Sequence, residues 1–314
     1  MRRRWRSLFL GLWLGWLWGA GVQAAVSVVV VVVVTSEGGA PMAHAAGALI
    51  SELERGGLAR HHILQLTAAE FAVAGPRAPK LFVALGSEAV NALAAVELRA
   101  PVLCALLPRL SFERILRVHG RKPSAQFSAL YLDQPLERQL ELIRLALPDA
   151  RRLGVLWGSE SFLEASALRA AALAREFKLV EFPVILEGTF FKGLKSVLED
   201  SDVLLALADP QVYNTGSIQN TLLTSFRARV PMVAFSPAYV RAGALLALHA
   251  TPEQVGRQVA AMVGSALQGK ALPAVPVYSQ EFTVGVNAHV ARALDLKLDG
   301  QDLGERLRLR EAAP

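Results

Sequence analysis

Six short stretches of this chain place hydroxyl, amide or charged groups directly after apolar segments: Thr35-Ser36-Glu37, Gly86-Ser87, Leu107-Pro108-Arg109, Trp157-Gly158-Ser159, Asp209-Pro210-Gln211 and Ser236-Pro237. Hydroxyls and the unpartnered first-turn amides of a helix hold a carboxylate or phosphate well, because the helix dipole favours negative charge there. Plain helix capping is the alternative role for each Ser or Thr. As a set, Thr35, Ser36, Gly86, Ser87, Ser159 and Ser236 are candidate ligand-binding residues. Arg109 suits a bidentate grip on a carboxylate, or a place on the surface. Trp157 offers a stacking face to a ligand, or packs between lobes. Asp209 suits a ligand amine, or caps the chain before Pro210. Read together, Ser87 and Asp209 are expected to hold the two ends of a zwitterion from opposite sides of a cleft.

Other chemistries find no support. The single cysteine, Cys104, cannot form an internal disulfide and excludes multi-cysteine metal sites. Six histidines show no HExxH spacing, and GxSxG, P-loop and strand-following GxGxxG motifs are missing. No enzyme, cofactor or metal is expected.

The elements that must position these groups alternate between strand and helix. Strands are expected over 26–34, 81–85, 102–107 and 127–132, with helices over 40–53 and 88–96. Ser87 is the expected N-cap of the second of these helices. Leu136, Leu140, Ile143 and Leu147 line one face of a helix over 136–147. After Pro148 the pattern restarts, with strands over 153–157, 182–186, 203–208, 230–235 and 244–248. Helices are expected between them over 162–177, 191–198 and 217–227. Thr251-Pro252-Glu253-Gln254 reads as a capping box opening a helix that Gly269 ends. Short apolar strands separated by helices predict an α/β protein with parallel sheets covered on both faces. The restart predicts two lobes with a cleft between them.

At 314 residues the chain is long enough for roughly two domains. Its 53% hydrophobic and 19% charged content excludes a disordered protein. Four arginines precede a 15-residue apolar stretch and Val22-Gln23-Ala24, the layout of a cleaved secretory leader over residues 1–24. No cysteine flanks the exit, which argues against a lipoprotein. Without the leader the net charge falls from +6 to +2. No basic stripe interleaved with aromatics is left to suggest a nucleic-acid partner.

Several segments resemble the ABC-transporter substrate-binding proteins that include tryptophan- and tyrosine-binding members. They are 83–89, 202–214, 229–233, 240–244, 251–270 and Val284-Gly285-Val286-Asn287 with Ala291 and Leu294. The resemblance implies a type I periplasmic-binding-protein fold, with two Rossmann-like lobes, parallel sheets, three crossings and a hinge. Lobe 1 would cover 25–130 with a return segment at 250–278. Lobe 2 would cover 131–249 with 279–300, and residues 301–314 would be a tail. The chain keeps a hydroxyl at Ser87 where the family usually has a Gly-Thr pair. It departs at Leu107-Pro108-Arg109 and at Ala208-Asp209-Pro210. The implied function is a monomeric periplasmic protein that closes on a small, amino-acid-like molecule and delivers it to an inner-membrane ABC permease. The alternative is a sensory or accessory protein serving a membrane receptor or histidine kinase.

Overall fold

The valine run shows why the chain must build a doubly covered sheet. A computed structural model describes residues 29–37, 39–74, 78–184 and 188–312. The leader read at 1–24 and the start of the valine run lie outside them. Strand β1 (Val31–Thr35) buries every side chain. β-branched residues fit a pleat, where helix formation would cost them χ1 freedom. Val31 and Val33 face one apolar cluster, and Val32 and Val34 face another. Both sides of the sheet are therefore core.

In chain order the first half continues with α1 (Gly39–Arg55), β2 (Ile63–Thr67), α2 (Ala68–Ala74) and β3 (Leu81–Leu85). It ends with α3 (Ser87–Ala94), β4 (Val102–Ala105), α4 (Arg109–Val118) and β5 (Phe127–Tyr131). The second half runs α5 (Leu136–Ala146), β6 (Arg152–Trp157), α6 (Ala165–Leu173), β7 (Lys178–Pro183) and α7 (Phe190–Asp200). It continues with β8 (Val203–Leu205), α8 (Ile218–Arg227), β9 (Met232–Ala234), α9 (Pro237–Ala242) and β10 (Leu246–His249). The chain closes with α10 (Pro252–Leu267), β11 (Val277–Tyr278), β12 (Thr283–Val286), α11 (Ala288–Ala293) and α12 (Gly300–Ala312).

Two six-stranded sheets result, ordered β11-β5-β4-β3-β1-β2 and β12-β10-β9-β8-β6-β7. All pairs are parallel except β10 with β12. The chain passes between sheets three times: after β5, between β10 and α10, and between β11 and β12. The capping box that opens α10 is formed in full, with Thr251 Oγ1 accepting from the Gln254 amide. Among the described residues no helix is long and apolar enough to cross a membrane.

Four expectations need correction. The final residues are not a tail: α12 buries Leu303 and Leu307 in the second lobe's core, beside α5 and β12. Its sparse apolar spacing, two leucines among charged residues, hides it from a periodicity reading. Strand β7 lies earlier than expected because it is an edge strand, half-buried, with no continuous apolar run to mark it. Helix α4 stands where the sequence suggested only a strand end after Leu107, since its polar face breaks the apolar pattern. Ser87 does not cap α3; Gly86 takes the N-cap position, and Ser36 Oγ accepts from the Ala89 amide at 3.1 Å. Gly86 has φ +88°, and a Cβ there would lie 2.6 Å from Ser36 Oγ, so only glycine lets the two loops meet.

Candidate functional site

The strand-end motifs condense into two polar clusters, one in each lobe. In the first, Ser36 bonds to the first turn of α3 behind Gly86, Ser87 is exposed, and Thr35 Oγ1 donates to the Leu66 carbonyl at 3.4 Å. In the second, Asp209 is buried and its carboxylate accepts from the Ser161 amide at 2.7 Å and the Gln211 amide at 2.9 Å. Gly158 packs against that carboxylate so closely that a Cβ would sit 2.4 Å from it. The Ser159 amide donates to Gln211 Oε1 at 2.8 Å. Trp157 is buried in the core, its Nε1 donating to Glu181 Oε1 at 2.9 Å.

The cleft itself, about 620 Å³, opens between the lobes along the crossings. Of the nine residues singled out from the sequence, only Ser236 is among its lining residues, and there its Oγ accepts from the Ala238 amide to cap α9. Lobe 1 contributes Met42, His44, Leu106 and Pro108; lobe 2 contributes Glu164, Leu207, Phe235 and Arg241. The first two crossings contribute Leu132, Asp133, Gln134 and Thr251, and His249 and Tyr278 line the cleft as the last residues of β10 and β11, where the second and third crossings begin. The cleft is thus lined at all three crossings. A mostly apolar concavity with a few polar groups is the usual form of a small-molecule site.

Arg109 lies beside this cleft and ties its walls together. One guanidinium nitrogen pairs with Glu113 at 3.1 Å, and the other with Glu164 across the lobe boundary. Its backbone amide donates to Asp133 Oδ2. A second bridge of the same kind, Arg114 to Glu160 at 3.1 Å, again joins α4 to the loop after β6. Burial pulls the Arg109 pKa down, but the bond to Glu164 outweighs it and holds the guanidinium more firmly charged than usual.

Burial, opposed by the Arg109 amide and reinforced by Glu164, pushes Asp133 up to about 6. The folded state therefore binds a proton more tightly than the unfolded chain, and between about pH 3.8 and about pH 6 this group's contribution to stability falls as pH rises. Asp133→Asn keeps an oxygen for the Arg109 amide and removes that loss. The melting temperature of the variant, relative to wild type, should rise by a few degrees between pH 4 and pH 7. A difference that is flat across that range would refute the assignment.

Two α/β lobes joined by three crossings, with an apolar cleft between them, define a binding protein of the type I periplasmic fold. The chain belongs to the family described as ABC transporter substrate binding protein, whose model matches residues 69–303. Among curated relatives it is 22% identical to a tyrosine-binding protein of Clostridioides difficile over 180 residues, 56% of this chain. The match spans about half of that relative's length, 52%. Among solved structures it resembles the ligand-free, open form of a substrate-binding protein with adhesive properties from Clostridium difficile. The TM-score is 0.69 at 19% identity, covering 86% of this chain and 96% of the other. It also resembles a Streptococcus pneumonia ABC domain in complex with L-Trp, with a TM-score of 0.62 at 16% identity, covering 88% and 98%.

Proposed function

We propose that this protein captures a small molecule in the interlobe cleft and hands it to an ABC permease of the inner membrane. The observation that carries the reading is where the cleft lies. A site lined by both lobes and at all three crossings feels any rotation of one lobe against the other, so a ligand touching both walls favours the closed arrangement. The protein works in the periplasm as a monomer after loss of residues 1–24. The tyrosine- and tryptophan-binding relatives, and the presence of Phe235 and Tyr278 in the cleft lining, support an aromatic amino-acid-like ligand.

Thermal-shift screening of residues 25–314 against amino acids, nucleosides and small organic acids tests this. A ligand present at about a hundred times its dissociation constant adds about 2.7 kcal/mol, enough for a rise of several degrees. A screen in which no compound raises the melting temperature would count against a transport role.

A further inference from the structure

The polar groups of the cleft are unequally satisfied. Every carboxylate lining it is already partnered. Asp133 accepts from the Arg109 amide, Glu164 pairs with the Arg109 guanidinium, and Glu253 pairs with His44 Nδ1 at 3.0 Å. The nitrogen groups are not so well provided. Arg241 lines the cleft, is exposed, and its side chain takes part in no hydrogen bond or ion pair among the described residues. Gln134 is only 4% exposed. Its Oε1 accepts from Arg138 Nη1 at 2.7 Å, which leaves Nε2 as a buried donor with nothing to bond to. The Nδ1 of His249, at the end of β10, is likewise buried and unpartnered.

An unmet buried donor is costly, by more than an ordinary hydrogen bond gains, so such a group in a ligand cleft marks where a ligand oxygen belongs. A guanidinium with no protein partner asks for a planar anion, and a carboxylate matches its fork. The remaining walls are apolar: Leu106, Leu132, Leu207, Phe235 and Leu248. A ligand ammonium would find no free carboxylate here and would meet Arg241 instead.

Resting on the reading of the cleft as the binding site, we propose that it selects a carboxylate carried on an apolar body. Arg241 and Gln134 hold the anionic end, and no amine on the ligand is required. This differs from a zwitterion held between Ser87 and Asp209, because the group that is read is the acid alone.

Three probes sharing one apolar body separate these schemes by titration calorimetry on the folded wild-type protein: 3-phenylpropionate, 2-phenylethylamine and L-phenylalanine. The acid should bind, the amine should bind at least tenfold more weakly, and L-phenylalanine should gain less than tenfold over the acid. Arg241→Gln, at an exposed position, should keep the wild-type melting temperature and weaken 3-phenylpropionate at least tenfold. The proposal is overturned if the amine matches the acid, if L-phenylalanine exceeds the acid by tenfold or more, if Arg241→Gln leaves the acid's affinity unchanged, or if the acid does not bind. Failure of the broader transport reading has a different signature, a compound screen without any binder.

Discussion

Gly256→Leu should remove about 3 kcal/mol of stability, the upper part of the usual range for forcing bulk into a packed interface. Gly256 lies on α10 where that helix crosses α1. A Cβ there would sit 2.4 Å from the Ala45 carbonyl oxygen and 2.8 Å from Ala48 Cβ. Neither atom is the end of a flexible side chain, so the helices themselves must separate. α10 starts at the second crossing, and its first turn supplies Pro252 and Glu253 to the cleft. The damage should therefore reach function as well. Urea unfolding gives the stability loss, and any ligand found by screening should bind the variant more weakly. An unfolding free energy within a few tenths of a kcal/mol of wild type would mean that α1 and α10 are not packed as described.

Removing the two bridges between α4 and the loop after β6 is the second large effect. The double variant Arg109→Met, Arg114→Met keeps most of the aliphatic volume and discards both cations. The Arg114–Glu160 pair is half-exposed and contributes at most about 1 kcal/mol. The Arg109–Glu164 pair is more enclosed, with side-chain exposures of 26% and 16%. Breaking it leaves Glu164 without its partner beside an apolar cleft, and the cost approaches the ~3 kcal/mol seen when buried pairs lose one member. Because both bridges join the lobes, that cost falls on the arrangement in which they are formed. Small-angle scattering should show a larger radius of gyration in the double variant, and ligand affinity should drop by about tenfold or more. An unchanged radius would show that the bridges do not hold the lobes together.

How far the sequence leads can be judged from individual elements. β1 and β3 are recognisable because a strand with both faces in core reads as an unbroken apolar run, as Val31–Val34 and Leu81–Leu85 do. The start of α10 is recognisable because a capping box is local, made by Thr251 and Gln254 three residues apart. β7 and α12 are hidden because an edge strand and a terminal helix bury only one side and alternate too weakly. The strand ends suggest the site, yet Ser36 and Asp209 there are engaged by the Ala89 and Ser161 amides of neighbouring loops. Those partners lie 53 and 48 residues away, and no local pattern announces them. Asp133 and Gln134 lie on the first crossing and His249 ends β10 beside the second, where the chain changes lobes and no periodicity singles out a side chain.

A small molecule is expected to occupy the interlobe cleft. Ala208 lines that cleft outside any helix or strand, so a large side chain there fills space without disturbing the core. The decisive measurement is a calorimetric titration of wild type and Ala208→Trp with whichever compound gives the largest thermal shift. Binding should weaken at least tenfold in the variant while its melting temperature in the absence of the compound stays within a degree or two of wild type. Equal affinity in the two proteins would place the ligand elsewhere and contradict the claim.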